Sequence, residues 1–476
     1  MIPLQIKEII KATEGNLISG NPLLKVRGIS TNTRTLLNGD LFIALKGEKF
    51  DGNVFLEEAL ERGAAGAVVA RDCKIQNTKY KNKIIIKVDN TVKALGSIAK
   101  TYREKFNIPV IAITGSNGKT TTKEILAHIL SRRFNTIKAK ASFNNFIGLS
   151  LTLLEIKSDT QVVILEMETN LINGISRLCE IAHPKIGIVT NIGNTHLEYL
   201  KTKEGVYNEK LELVESLPSD GVAVLNFDDP YVIRMKEFAK AKRIVSFGIE
   251  NKSHFSASKI KIGDTFLEFT LNDNYKVRLN TISKGNVYNC LTAVAVAHSV
   301  FGLNLKEVIA NLKDVRFPPM RMELIKFSIR GCSERHVKDI RIINDSYNAN
   351  PQSMQEALFT LRNVNTSGRK IAVLGNMLEL GKRTLDLHYQ IGRLCAGYKV
   401  DILITVGNMA RRIADSAKEN GMPKEKIYVL DNTQKTIKIL FDILKSGDVI
   451  LIKGSRKMKM EKIVNALMSK IIKARN

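Results

Sequence analysis

The sequence predicts an α/β protein of three domains: a central phosphate-loop domain on a doubly wound, mostly parallel sheet, a Rossmann-like α/β domain after it, and a small α/β domain before it. Three observations carry this reading. The chain has 476 residues, more than one hydrophobic core can serve. An apolar run ends in a glycine loop at N-I-P-V-I-A-I-T-G-S-N-G-K-T-T-T, residues 107–122. Finally, two long stretches alternate apolar strands with helical patterns, which is how a parallel sheet built from βαβ units looks in sequence.

The first block, 1–106, holds short strands around G-I-S-T-N-T-R (28–34) and G-D-L-F-I-A-L-K-G (39–47). A helix over 54–62 and a strand over 67–70 follow, giving a small α/β unit. In the second block, 107–316, strands are expected at 109–113, 162–166, 186–190, 222–225 and 243–247. Helical patterns lie between them at about 120–133, 173–182, 203–216 and 230–239. Residues 254–281 alternate in short runs, as an antiparallel appendage would, and 286–301 return to helix. The third block, 317–476, opens at Pro318-Pro319 and repeats the scheme, with strands at 341–344, 371–374, 402–406 and 449–452. Ligands on such sheets sit beyond the carboxyl ends of the strands, and every motif below falls at such an end.

Composition narrows the class. Hydrophobic content of 44% and charged content of 25% describe an ordinary globular chain. No apolar stretch is long and charge-free enough to span a bilayer. The start, M-I-P-L-Q-I-K-E-I-I-K, carries charges within its apolar run and lacks a cleavage site, so no signal peptide is expected. Cys73, Cys179, Cys290, Cys332 and Cys395 have no paired spacing. Reduced thiols in a cytoplasm fit, and neither a zinc site nor a disulfide framework is implied. The net charge of +26 is spread along the chain, densest at K-G-S-R-K-M-K (453–459). Without clustered aromatics or a compact basic patch, a nucleic-acid-binding ATPase is the disfavoured alternative.

The chemistry starts at the glycine loop. Gly115 and Gly118 let the backbone turn tightly and aim N–H groups at phosphate oxygens. A helix opening at Lys119 points its positive end there. The loop Thr114-Gly115-Ser116-Asn117-Gly118-Lys119-Thr120 is a short T-G-x-x-G-K-T form, because Ile113 stands where the longer pattern has a small residue. Lys119 supplies a charge for the outer phosphates. Thr120 or Thr121 supplies a hydroxyl for Mg²⁺. These features predict a nucleoside-triphosphate site.

Glu166 ends a buried strand, where a phosphate-loop enzyme needs a Mg²⁺ ligand. Glu168, two residues on, faces the same side, so the role falls to either. By themselves His196, in a strand-end loop, and Lys210, early in a helix, are ordinary residues. D-S-Y-N-A-N-P (345–351) closes a strand of the third block with side chains able to grip a ribose or amide groups. A last strand delivers Lys453, Ser455 and Arg456 to a loop, a plausible anion clamp.

Across essentially its whole length the chain resembles the ATP-dependent Mur ligases of cell-wall synthesis. T-G-S-N-G-K-T matches that family's ATP loop. The strings at 345–351, A-V-L-G-N-M-L-E-L-G (372–381) and 447–460 are similar to the branch that adds D-alanyl-D-alanine to a UDP-linked peptide. The D-N-P-R signature of the diaminopimelate-adding branch is absent. The resemblance implies ATP and two Mg²⁺ ions. Thr120 and Glu166 would hold the ion on the ATP phosphates, and His196 would help hold the second. Lys210 matches the lysine that the family carries as a carbamate. Asn145 matches a position near substrate and phosphates. Thr114 to Thr121, Asn289 and Arg321 would contact ATP, and Asp345 its ribose.

The uridine diphosphate would rest on Ser30, Thr31, Arg34, Lys46 and Gly47. Tyr347, Asn348, Asn350, Lys453 and Arg456 would contact substrate in the third domain, which takes the incoming amine. The expected partners are a UDP-linked peptide and an amino acid or dipeptide, on a cytoplasmic monomer with no nucleic acid and no stable membrane insertion.

The chain also departs from the family. Asn32 and Thr33 replace Asp-Ser, Glu168 and Leu171 replace a Gly and a His, Gly285 a His, Asn376 an Asp, and Lys457 a Gly. These changes leave most of the ATP core intact and bear on which peptide or amine is accepted. The archaeal pseudomurein peptide ligases are therefore the alternative within the family.

Overall fold

The computed structural model describes residues 1–47, 50–75, 80, 82–140, 143–330 and 336–469; Cys332 lies outside them. The other four cysteines are free and buried. Among the described residues no helix is long and apolar enough to cross a membrane.

Three sheets organise the chain. In the first, Asn16–Ser19, Ile84–Val88, Gly66–Ala70, Leu41–Ile43 and Ile29–Ser30 lie side by side. All of these pairings are parallel except that of Asn16–Ser19. The helix expected over 54–62 is a 3₁₀ turn, Gly52–Phe55, that widens into an α-helix, Leu56–Glu61. Asp51 starts the turn by accepting from Asn53 N.

Nine strands form the central sheet. From one edge they run Thr136–Lys138, Val162–Glu166, Val110–Thr114, Ile186–Val189, Val222–Asn226 and Arg243–Gly248, all parallel. Phe255–Ile262, Leu267–Leu271 and Tyr275–Leu279 then continue as the antiparallel appendage. Val110–Thr114 has later strands on both sides, so the order reverses there, and that is the crevice where such sheets bind ligands. Val162, Val163, Ile164 and Leu165 are at most 1% exposed, as expected of a strand covered on both faces. Each such aliphatic side chain contributes about 1.5–3 kcal/mol of burial free energy.

One expected helix is different. Residues 230–239 form only a short 3₁₀ stretch, Val232–Glu237. Asp229 Oδ1 takes the N–H groups of Tyr231 and Val232, and the next strand begins at Arg243, leaving no room for a longer helix.

The third sheet runs Glu323–Arg330, His336–Asp345, Val449–Lys453, Lys370–Gly375, Ile402–Val406 and Ile427–Leu430. The first pair is antiparallel and the rest are parallel. The strands Glu323–Arg330 and Ile427–Leu430 extend the expected four on either side.

The sheets share cores. Helix Thr91–Arg103 packs against helices Phe146–Leu154 and Gly174–Ala182, joining the first sheet to the second. On the other side one apolar cluster runs from Val206, Tyr207 and Val214 to Met354, Leu358 and Leu374, joining the second to the third.

Candidate active site

Strand Val110–Thr114 delivers the glycine loop to the crevice, and helix Lys119–Leu130 leaves it. Gly115 and Gly118 have φ of +133° and +86°, a region that L side chains avoid. A Cβ at Gly118 would meet Asn289 Oδ1 at 2.4 Å, and one at Gly115 would meet Thr190 Oγ1 at 2.1 Å. Asn289 therefore buttresses the loop's floor; its amide also donates to Asn286 Oδ1 at 3.0 Å. Ser116 N and Asn117 N bond to the backbone and side chain of Asn191, and Thr114 Oγ1 donates to Met167 O. The first N–H groups of the following helix have no partner within it, and they face the cleft.

Four charged groups and a hydroxyl meet there. Thr120 Oγ1 donates to Glu166 Oε2 at 2.8 Å. Lys119 Nζ donates to Gly115 O at 2.7 Å and to Glu168 Oε1 at 2.9 Å. Asn144 Nδ2 reaches both carboxylates, Glu166 at 3.3 Å and Glu168 at 2.7 Å. Glu166 and Glu168 thus share one face, as the period of an extended strand requires. Burial alone would raise the Glu168 carboxyl. The Lys119 ammonium and the His196 ring outweigh burial and hold it well below the usual carboxylate range.

His196 links two domains. Its Nε2 lies 3.4 Å from Glu168 Oε1, and its Nδ1 lies 2.7 Å from Glu379 Oε2. Burial opposes a charged ring, but these two carboxylates raise its pKa above the ordinary histidine value. Glu379, hydrogen-bonded to His196, is correspondingly lowered. Glu379 falls within A-V-L-G-N-M-L-E-L-G (372–381), and nothing local in the sequence marks it as the partner of His196.

Lys210 is 1% exposed. Its Nζ lies 2.6 Å from Glu209 Oε2, yet the approach lacks hydrogen-bond direction and both groups remain unsatisfied. Burial raises the Glu209 carboxyl against the pull of Lys210. Among the described residues, no three His, Cys, Asp or Glu side chains converge on a ready-made metal position.

The cleft has a volume of about 760 Å³ and is lined from Ser116 to Thr121 on one side and by Arg321, Asp345, Tyr347, Asn348, Asn350 and Lys453 on the other. Arg321 stacks on Tyr347, with Cζ 4.0 Å from the ring centre; Arg456 approaches the same ring at 5.7 Å. Met320 and Met322, on either side of Arg321, have φ of +59° and +55°. Such values are uncommon for residues with side chains. Tyr347 N donates to Met320 O, and Met322 N to Asp345 Oδ1. Lys453 is buried, with Nζ 2.5 Å from Asp345 Oδ2 and 2.9 Å from Asn348 O. It neutralises Asp345 and is not an open anion clamp.

Other expected residues lie elsewhere. Asn145 caps helix Phe146–Leu154 through Gly148 N, and its neighbour Asn144 is the one that meets the carboxylates. Ser30 ends a strand of the first sheet, and Thr31, Arg34, Lys46 and Gly47 lie in the connections after its strands, outside this cleft. Ser30 Oγ donates to Asn32 O, and Lys46 pairs with Asp72. Gly285 has a structural reason: a Cβ there would meet Glu356 Oε1 at 2.2 Å. That oxygen accepts from Gly285 N and Ser283 Oγ.

Three stretches match family descriptions: 25–103 the "Mur ligase family, catalytic domain", 113–297 the "Mur ligase middle domain", and 320–456 the "Mur ligase, glutamate ligase domain". The UDP-N-acetylmuramoyl-tripeptide–D-alanyl-D-alanine ligase of Bacillus subtilis (strain 168) is 33% identical over 471 residues, covering 98% of this chain and 99% of that one. The chain belongs to the Mur ligase family. Its fold superimposes on a crystal structure of MurF from Acinetobacter baumannii with a TM-score of 0.87 at 29% identity, covering 98% and 99% of the two chains. It also superimposes on MurF from Thermotoga maritima in complex with ADP, with a TM-score of 0.80 at 27% identity and coverage of 94% and 98%. A pseudomurein peptide ligase type C from Methanothermus fervidus shares the fold, with a TM-score of 0.64 at 21% identity and coverage of 90% and 94%.

Proposed function

We propose that this Mur ligase is of the MurF type: it uses ATP to activate the terminal carboxylate of a UDP-linked muramoyl tripeptide and joins D-alanyl-D-alanine to it through an amide bond. The observation that carries the reading is a phosphate loop in one domain facing Asn350 and Arg321 of the next across a single cleft, with His196 beside it bonded to Glu379 of that next domain. The near-full-length likeness to D-alanyl-D-alanine ligases supports this choice over the pseudomurein alternative. Residues 1–106 would hold the uridine diphosphate, 107–316 the ATP, and 317–476 the incoming amine. We place the enzyme in the cytoplasm as a monomer, with no nucleic-acid or membrane partner.

The chemistry follows from the geometry. ATP transfers its terminal phosphoryl group to the peptide carboxylate, giving an acyl phosphate and ADP. The amine then attacks the acyl carbon, phosphate leaves, and the amine loses its proton. Lys119 offsets the charge crowding between a carboxylate and a triphosphate. Closure of the third domain over the second excludes the water that would hydrolyse the acyl phosphate.

The donor set fits divalent cations. Thr120 and Glu166 would hold one on the phosphates, and His196 would help hold another. Lys210 fits the carbamate role, because its buried Nζ has no hydrogen-bond partner and carboxylation would turn the cation into a metal-directed anion. When bound, the metals neutralise the phosphates and polarise the P–O bond. Phosphate release in the presence of UDP-muramoyl tripeptide and D-alanyl-D-alanine tests the proposal. Release should require both substrates. Equal release with a single L-amino acid as amine, or release that DNA stimulates, would overturn it.

A further inference from the structure

Glu168 lies two residues beyond the carboxylate that meets Thr120, and its position gives it a task. It leaves strand Val162–Glu166 with its backbone N–H bonded to Asn144 O at 2.9 Å. Its carboxylate then sits between the two cationic groups of the cleft, 2.9 Å from Lys119 Nζ and 3.4 Å from His196 Nε2. Asn144 ties it sideways to Glu166. Lys119 is nearly buried, at 7% side-chain exposure. Two of its three N–H donors go to Gly115 O and Glu168 Oε1.

A phosphate-loop lysine serves the outer phosphates. The structure therefore puts a carboxylate on the group that an incoming anion must reach. A triphosphate without a metal would meet Glu168 as a like charge beside a partner already ion-paired. A triphosphate carrying a divalent cation brings its own replacement for Lys119 and His196. The cation arrives at Thr120 and Glu166, next to Glu168 across the shared Asn144 amide.

We infer that Glu168 makes the cleft selective for metal-complexed nucleotide: its carboxylate holds the phosphate end of the cleft in the nucleotide-free protein and is drawn off Lys119 and His196 by the divalent cation that accompanies the triphosphate. This rests on the ATP reading of the loop. It adds to that reading a residue whose contribution lies in the coupling between metal and nucleotide. Glu166 remains the carboxylate that meets Thr120, and the Glu168 carboxylate is held by the side chains of Lys119, Asn144 and His196.

The test is calorimetric titration of the full chain with the β,γ-imido analogue of ATP, once with Mg²⁺ and once with a chelator. Wild type should show a strong gain in affinity from Mg²⁺. In Glu168→Gln, which keeps shape and hydrogen bonding but removes the charge, metal-free affinity should rise by at least about tenfold. The gain from Mg²⁺ should shrink by the same factor. Glu168→Gly, which removes the carboxylate outright, should move in the same direction, so a fold defect in one variant does not decide the matter. An unchanged Mg²⁺ gain in both variants would overturn the inference. A wild-type chain that binds no Mg²⁺-nucleotide at all would instead overturn the ATP reading, and a chain that binds it but makes no amide bond would overturn only the choice of reaction.

Discussion

Asn350 of the third domain donates its side-chain amide to Asn117 Oδ1, in the phosphate loop of the second, at 2.7 Å. The same side chain caps helix Pro351–Asn363, its Oδ1 accepting from Ser353 N at 2.9 Å. One residue thus starts a helix and fastens the helix to the loop. Asn350→Asp keeps an excellent cap but loses the amide donor. Its thermal stability should stay within about 0.5 kcal/mol of wild type, while turnover falls and nucleotide affinity changes little. Phosphate-release kinetics beside thermal unfolding check this. A fall in stability with unchanged turnover would show that the cap is all that matters.

Lys119→Ala should abolish phosphate release. The ammonium lies beside both Gly115 O and Glu168. A normal rate would refute the nucleotide assignment.

Lys210→Ala should lose most activity and recover part of it in short carboxylic acids, which can occupy the space of the missing anion. The expected difference is at least about tenfold between rescued and unrescued rates. Rescue by short amines instead would mean that the lysine works as an ammonium paired with Glu209.

Gly118→Ala forces a side chain into a left-handed conformation, costing about 1–2 kcal/mol, and pushes against Asn289. Nucleotide binding should weaken even where the fold survives. Binding measured beside Gly118→Ala/Asn289→Ala separates the two causes: removing Asn289 relieves the collision and leaves the backbone strain.

A pH effect independent of the cleft is expected from His388. The ring is fully buried, with Nε2 accepting from Met377 N at 2.9 Å and Nδ1 bonded to Thr384 O at 2.6 Å. Burial lowers its pKa, with the Thr384 carbonyl opposing. The unfolded chain then binds the proton more readily. This stability is complete above the ordinary histidine value of about 6.5 and is lost as pH falls below it, at up to about 1.4 kcal/mol per pH unit. Thermal unfolding from pH 7.5 downwards should show a steeper decline in wild type than in His388→Gln. Parallel curves would remove His388 from the account.

The parts of the site that were legible in the sequence are those whose partners are close along the chain. The loop at 114–120 and the carboxylate of Glu166 sit at the ends of apolar runs, so the strand pattern places them. Glu166 and Glu168 could not be told apart, because a period of two puts both on one side, and the structure uses both. The contacts between Asn117 and Asn350 and between His196 and Glu379 span 233 and 183 residues, and no local pattern encodes them. Lys453 looked like an open clamp because sequence shows its strand but not the Asp345 beside it. The stretch 230–239 read as helix from its apolar spacing, but the Asp229 carboxylate and the short span to Arg243 allowed only a tighter turn.

The left-handed methionines around Arg321 have a pharmacological consequence. The residue that stacks on Tyr347 also occupies the strained joint of the chain between the two larger domains, so occupancy of that ring and the angle at the joint are one variable. A small aromatic wedge that parts Arg321 from Tyr347 would act at this joint, and because both residues line the cleft it would compete with nucleotide.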